Sequence, residues 1–182
     1  AINNANSEAI VYRFANGTVR EITVDDFGGD EVAFNAWKAF SDKIVKVVIE
    51  EGVGGVGAYA FYKCGNLTSV TIPKSVITIG YAAFSDCRSL TGIYVDQANP
   101  VYTSDESGVL YDKKKTTLIR APGALTDRYS VPNGVMVIYN DAFSYCKLLS
   151  GVTIPDSVIA IGEFAFMECS GLTDVTIGSG VT

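Results

Sequence analysis

Four Ala-Phe pairs divide this chain into units of 23 residues. The pairs are Ala60-Phe61, Ala83-Phe84, Ala142-Phe143 and Ala165-Phe166. A cysteine follows each phenylalanine by three residues, and a leucine follows each cysteine by three more. Repetition at a fixed period of this length indicates a solenoid, because one unit cannot bury its apolar side alone and must stack on its neighbours. The spacing therefore restricts the chain to a stack of similar coils.

Short runs rich in Val, Ile and Thr fall once in each unit, where alternating side chains indicate a β-strand. Six runs follow one another at intervals of 23, 23, 36, 23 and 23 residues. Their inward positions are Val47/Ile49, Val70/Ile72, Ile93/Val95, Tyr129/Val131, Val152/Ile154 and Val175/Ile177. The pattern predicts a β-rich solenoid, a leucine-rich-repeat-like, right-handed stack of coils with one short strand in each coil. A second apolar pair, such as Val76/Ile79, precedes each Ala-Phe.

The two ends of the chain differ from the repeat. Residues 44–182 form the predicted solenoid, and residues 1–43 form a predicted N-terminal cap. Within the cap, runs 10–14 and 19–24 flank Asn16-Gly17, a strong hairpin signal, and 30–40 has helical spacing. Solenoids need caps because an end coil exposes an apolar cross-section. The C-terminal end is expected to be uncapped, so that a continuing chain or a partner covers it.

The long interval of 36 residues carries 13 more residues than the repeat and lacks the Ala-Phe pair and the cysteine. Two apolar runs around Asp112-Lys113-Lys114-Lys115 predict a β-hairpin at about 109–119, within an insertion spanning about 97–127. Insertions in solenoids fall on one face, often the functional one. Tyr and Arg, which dominate interface hot spots, cluster here. The candidate binding residues are Tyr94, Asp96, Tyr102, Tyr111, Lys113, Lys114, Arg120 and Arg128. The alternative is that the tyrosines cover the irregular coil and the lysines solvate a turn.

Composition limits the chemistry of the chain. It has no histidine, which removes the commonest general base and the commonest transition-metal ligand. A formal net charge of -6 argues against nucleic acid as a partner and against an anionic membrane surface. No apolar run is long enough to span a membrane. We therefore expect that the chain is not an enzyme and that it has neither a cofactor nor a metal site.

The four cysteines and a group of acids raise two further questions. Because the cysteines hold one equivalent position per coil, they are expected to stack as buried free thiols, with one or two disulfides as the alternative. The four are Cys64, Cys87, Cys146 and Cys169. Acidic side chains near the insertion offer a weaker alternative, a Ca²⁺ site, although no known calcium-loop spacing is present. These acids are Asp96, Asp105, Glu106 and Asp112.

Two stretches, AFYKCGNLTSVTIPKSVITIG at 60–80 and AFSYCKLLSGVTIPDSVIAIG at 142–162, resemble the BspA-type leucine-rich repeat family. The resemblance covers about residues 44–182. It implies a β-solenoid of a bacterial surface protein, located extracellularly or at the cell surface, with an adhesin-like role. The expected function is a non-enzymatic protein-interaction segment that binds a protein or glycan on a host or neighbouring cell. A passive spacer that carries another domain is the alternative. End-to-end self-association through the open C-terminal coil is a further expectation.

Overall fold

The computed structural model describes residues 41–182 and two strands nearer the N-terminus. These two strands are β1 (Ala9–Phe14) and β2 (Val19–Thr23). One strand of every coil belongs to the principal ladder of the solenoid. The principal strands are β3 (Ile44–Val48), β5 (Ser69–Ile72), β7 (Gly92–Val95), β11 (Asp127–Ser130), β13 (Leu149–Ile154) and β15 (Asp174–Ile177). The described residues contain no helix. The predicted β-solenoid is thus confirmed.

Parallel pairing between neighbouring principal strands explains the repeat length. Val70 pairs with Val47 and with Ile93, and Val152 pairs with Val175, so that Cα partners lie one repeat apart. Equivalent side chains therefore lie directly above one another. The inward Val and Ile of each coil fill a continuous core, in which Val47, Val70 and Ile93 have no exposed surface.

A second, shorter strand lies on the far side of most coils, where the sequence predicted only an apolar pair. These strands are β4 (Gly55–Val56), β6 (Thr78–Ile79), β12 (Val137–Ile138) and β14 (Ala160–Ile161). They pair in parallel, β4 with β6 and β12 with β14. Each of these coils therefore has two strands rather than one.

The Ala-Phe turn completes each regular coil. Phe61 stacks on Phe84 with ring centroids 5.6 Å apart, and Phe143 stacks on Phe166 at 4.9 Å. All four cysteines are free thiols, and three are buried while Cys169 is half-buried. The Cys87 thiol donates a hydrogen bond to the backbone oxygen of Phe61 in the preceding coil, at 2.9 Å. Three of the four thiols are buried as predicted, whereas Cys169 is only half-buried because it lies in the exposed last turn of the described solenoid.

The insertion forms an antiparallel meander of three strands. They are β8 (Tyr102–Ser104), β9 (Leu110–Asp112) and β10 (Thr117–Arg120). β9 and β10 pair antiparallel, which confirms the predicted hairpin, and β8 adds a strand that the sequence did not predict. β10 then pairs in parallel with β12, so the ladder of short strands resumes beyond the insertion.

The meander interrupts the principal ladder. β7 is the edge of one sheet and β11 is the edge of another, with no pairing between them. The apolar core is likewise divided into one cluster around the first three coils and a second around the later coils. Arg120 occupies the place of the missing Ala-Phe turn: its guanidinium donates to the backbone oxygen and to Oγ of Ser144, at 2.9 and 2.7 Å, and to the backbone oxygen of Asp141. A small cavity of about 70 Å³ lies beside it.

The ends of the solenoid are unequal. β1 and β2 form an antiparallel hairpin as the sequence predicted, and β1 pairs with β3 of the first coil. The predicted helix at 30–40 lies outside the described residues. In the last coil, Val175 and Ile177 are 47% and 57% exposed, although the equivalent Val152 and Ile154 of the coil before are buried. The last coil therefore presents an open apolar face.

Candidate functional site

An open groove marks the interruption of the principal ladder. Its volume is about 730 Å³, and it runs between the loop after β8 and strand β11. The lining residues are Ser104, Asp105, Glu106, Ser107, Lys115, Arg128, Tyr129, Ser130 and Pro132. We call this the ladder groove. Its lining is mainly hydroxyl and charged groups, so it suits a polar ligand.

Asp105 holds the loop wall of the ladder groove in place. Its carboxylate accepts hydrogen bonds from the hydroxyls of Tyr111 and Tyr129, and from the backbone amide of Val109 at 2.9 Å. The two tyrosine oxygens also contact each other, so the single proton of the Tyr111 hydroxyl is shared between the Asp105 carboxylate and the Tyr129 oxygen. Burial, together with the neighbouring Asp105 carboxylate, raises the pKa of both phenols. Both tyrosines therefore stay neutral donors over the physiological range, and the loop is fixed to the floor of the groove.

The same loop satisfies the edge of β7. The carbonyl of Gly108 accepts from the amide of Ile93 at 3.0 Å, and Oγ of Ser104 accepts from the amide of Val95 at 3.1 Å. Gly108 has φ +71°, and a Cβ there would lie 2.3 Å from the Cα of Gly92. Only glycine allows this close approach. The loop therefore replaces the missing strand beside β7.

The edge of β11 has no such replacement. The backbone amides and carbonyls of Tyr129 and Val131 face the next coil. The Val131 amide, for example, donates a hydrogen bond to the backbone oxygen of Thr153 at 2.9 Å. Backbone groups alternate along a strand, so those of Arg128 and Ser130 face the ladder groove. Among the described residues, neither amide has a protein acceptor in the structure. The groove thus exposes unpaired backbone donors and acceptors.

Charged side chains surround the opening of the groove. Lys115 is exposed, with Nζ 5.8 Å from the ring centroid of Tyr111. Arg128 crosses Gly151 to form an ion pair with Asp174 two coils away, and a Cβ at Gly151 would lie 3.0 Å from Cγ of Arg128. Glu106 is exposed on the opposite wall. Among the charged groups that line the groove, Arg128 is paired with Asp174 and the Asp105 carboxylate accepts hydrogen bonds, so one cation, Lys115, and one carboxylate, Glu106, are left for a ligand.

Several predicted binding residues have local structural partners. The Tyr102 hydroxyl accepts the amide of Ile79 at 3.0 Å, and the Asp96 carboxylate accepts that of Ala98 at 2.8 Å. Nζ of Lys113 donates to the backbone oxygen of Gln97 at 2.9 Å, and Lys114 is exposed. The Tyr102 bond joins the meander to the preceding coil, whereas the Asp96 and Lys113 bonds are made within and beside the insertion.

Tyr94 keeps an exposed aromatic surface on β7. Its side chain is 44% exposed, and its ring lies over Gly92, where a Cβ would come within 2.4 Å of the ring. Of the eight predicted residues, Arg128 is the one that lines the ladder groove, and Tyr94 lies on the strand at its other side.

Tyr111 and Arg120 are corrections to the predicted patch. Tyr111 has no exposed surface, and Arg120 is 6% exposed. Both were predicted to bind a partner because Tyr and Arg favour interfaces. The insertion instead turns them inward, where they replace core groups that the irregular coil lacks. Neither side chain can contact a ligand on this surface.

The proposed calcium ligands do not converge. Asp112 caps the turn before β10, since it accepts from the amides of Thr116 and Thr117 at 2.7 Å. Asp105 is bonded to the two tyrosines. Over the part of the chain that is described, no group of three or more His, Cys, Asp or Glu could hold a metal ion.

Sequence reasoning missed most of the groove. Ser104, Ser107 and Ser130 carried no signal of their own, and Asp105 and Glu106 were considered only as calcium ligands. The available signal was the interval itself: 13 extra residues must separate two coils that would otherwise pair.

The buried thiols are unreactive near neutral pH. Burial raises the pKa of Cys64 and Cys146 to about 12, and it also raises the pKa of Cys87. A thiol is nucleophilic as its thiolate, so these groups are inert near neutral pH.

No helix in the described residues is long and apolar enough to cross a membrane.

Comparisons with known proteins agree with this architecture. The sequence model of the BspA type leucine rich repeat region matches six copies, over residues 30–127 and 124–182. A leucine rich cell surface protein from Faecalibacterium prausnitzii A2-165 is 32% identical, with a TM-score of 0.63, and the match covers 80% of this chain and 45% of that one. The pneumococcal vaccine antigen PcpA shares the fold at 22% identity and a TM-score of 0.66, covering 76% of this chain and 40% of that one.

The chain therefore spans less than half the length of either structure. No curated protein sequence matches it. The repeat register, the stacked coils and the six matched copies lead to one assignment: the chain belongs to the BspA-type leucine-rich repeat family.

Proposed function

We propose that this chain is an extracellular or cell-surface interaction segment that binds a protein or glycan ligand in the ladder groove. The carrying observation is the open edge of β11, whose backbone groups face a groove of about 730 Å³. Ligand sites commonly have volumes of about 300–1,000 Å³. The groove also lies on an insertion, which is where solenoids commonly carry their specific function. The similarity to a leucine rich cell surface protein at 32% identity supports the location.

The proposed role is non-enzymatic. Catalysis requires titratable groups that converge on one reacting atom. In the ladder groove, Asp105 already accepts three hydrogen bonds, Arg128 is paired with Asp174, and Lys115 and Glu106 are exposed. This arrangement favours recognition through hydrogen bonds and charge.

A passive spacer is the second candidate. It is favoured by the local bonding of the insertion, in which Tyr102 accepts the amide of Ile79 in the preceding coil while Asp96 and Lys113 bond backbone groups of Ala98 and Gln97. A spacer would hold another domain away from the cell surface, and the groove would remain empty.

The organisation of the chain supports either role. We propose that residues 1–43 cap the first coil and that residues 44–182 form the solenoid. The pairing of β1 with β3 supports the cap. We propose in addition that the exposed Val175 and Ile177 allow end-to-end contact between copies.

A binding panel tests the proposed function. The purified chain is measured by biolayer interferometry against host matrix proteins and glycans, next to the double variant Lys115→Ala/Arg128→Ala. The double variant Lys74→Ala/Lys147→Ala is the matched control, since it removes the same charge from exposed or half-exposed sites outside the groove. Saturable binding that the groove variant weakens about tenfold and the control preserves supports the proposal. Absence of binding over the whole panel, with the wild-type chain folded, supports the spacer.

A further inference from the structure

We propose that the ladder groove binds an extended peptide that adds to β11 as a further strand. The inference rests on the proposed function and names the form of its ligand. It begins from the ladder itself, in which every other pair of neighbouring principal strands is joined by parallel pairing. One pairing is absent, between β7 and β11.

The two edges at this break are in different states. The edge of β7 is closed, because Gly108 and Ser104 accept its two outward amides. The edge of β11 is open, because the backbone groups of Arg128 and Ser130 face the groove without a strand partner among the described residues. In the other coils, the residues equivalent to Ser130 are paired with the preceding coil, Tyr94 with Thr71 and Thr176 with Thr153. Two residues further along, the amides of Asp96 and Gly178 donate to Ile72 and Ile154 of the preceding coil, at 2.9 and 2.8 Å.

An added strand would restore this missing set of hydrogen bonds. Strand addition at an exposed edge gains its affinity from main-chain hydrogen bonds and its specificity from alternate side chains. The groove prevents a second folded sheet from approaching the edge, since the loop 104–107 forms its opposite wall. The ligand is therefore inferred to be a single extended segment, lying along β11 in the groove of about 730 Å³.

The charges of the groove select neither an acidic nor a basic segment. Lys115 and Arg128 line it, but so do Asp105 and Glu106, and Arg128 is already paired with Asp174. The main-chain hydrogen bonds to β11 therefore supply the recognition that every bound segment would share.

Proline provides a specific test of the edge. Pro132 and Pro155 already occupy positions whose backbone nitrogen faces the preceding coil, as Ser130 does. Ser130→Pro therefore removes one groove-facing amide with a residue that the solenoid accepts nearby, and an edge strand tolerates it. Ser130→Ala removes the hydroxyl alone and is the matched control. Circular dichroism and thermal melting verify that both variants fold.

The probe is a random-peptide library displayed on phage, selected against the whole chain, followed by the recovered sequence as a synthetic peptide. We expect extended peptides whose affinity falls about tenfold in Ser130→Pro, as for one lost hydrogen bond and a blocking ring, and less than about twofold in Ser130→Ala. Methylation of alternate backbone nitrogens in the peptide is expected to abolish binding to the wild-type chain, which tests the edge even where Ser130→Pro does not fold.

The proposal is overturned if no recovered peptide binds saturably, or if peptides bind Ser130→Pro and the wild-type chain equally. Its failure is separable from that of the proposed function. A matrix protein or glycan that binds the wild-type chain, loses affinity in Lys115→Ala/Arg128→Ala, and is unaffected by Ser130→Pro would retain the groove as a ligand site and exclude strand addition.

Discussion

Replacing Asp105 by alanine tests whether one carboxylate organises the ladder groove. The substitution removes the acceptor for the hydroxyls of Tyr111 and Tyr129 and for the amide of Val109. A hydrogen bond to a charged acceptor contributes about 1.5–3 kcal/mol. The expected loss of stability is smaller than the sum of three such bonds. After the substitution the two tyrosine hydroxyls can still bond to each other, and water can reach the site from the groove. We therefore expect the free energy of unfolding to fall by about 3 kcal/mol.

The assay is thermal and urea unfolding followed by circular dichroism. A loss of about 3 kcal/mol corresponds to a decrease in Tm of roughly 10 °C for a domain of this size. Amide exchange gives a local readout, since the loop would no longer hold Gly108 against β7 and the amide of Ile93 should exchange faster. Asp96→Ala is the control, because that carboxylate is exposed and accepts the amide of Ala98 at 2.8 Å. A loss in Asp105→Ala no larger than in the control, with Ile93 exchange unchanged, would refute the role assigned to Asp105.

Three further predictions address the core and the last coil. Arg120→Met should lower the free energy of unfolding by about 3 kcal/mol in urea titrations, because it leaves buried acceptors of Asp141 and Ser144 without donors, and a loss below about 1 kcal/mol would contradict that bonding. At pH 8, iodoacetamide should modify half-buried Cys169 before the three buried cysteines, as read by mass spectrometry, and equal rates would be inconsistent with the structure. Hydrogen bonds from the amide and hydroxyl of Ser179 lower the pKa of Asp156 below 3.8, so this link stabilises the fold above that pH and is lost as the pH falls through the lowered pKa. Ser179→Ala should raise the pKa of Asp156 in NMR titrations, and an unchanged value would exclude the link.

The regular coils could be predicted from the sequence because each inward residue repeats one coil later. Val70 and Ile93 have the same environment in successive coils, so a spacing of 23 residues determines both the register and the burial. The short second strands were recognisable only as apolar pairs, since two residues are too few to show the alternation of a strand. Val137–Ile138 and Ala160–Ile161 become strands through pairing with neighbouring coils.

The groove could not be predicted in the same way, because no second copy of the insertion exists in the chain for comparison. Tyr111 and Arg120 were assigned to the surface by residue type, yet the irregular coil lacks an Ala-Phe turn and a cysteine, and large side chains fill that volume. The long interval was predicted as the region where the chain departs from the repeat, and the groove lies there. Its open edge at Ser130 depends on which backbone groups the loop satisfies, and this follows from three-dimensional pairing alone.

The most direct test of the central claim is an amide-exchange footprint of the chain with the first ligand that the binding panel identifies. We expect protection at 104–107 and 128–132, on both walls of the ladder groove, with little change at Ser69–Ile72 on the regular part of the sheet. Protection confined to the regular coils or to the Ala-Phe turns would contradict the assignment of the groove as the ligand site.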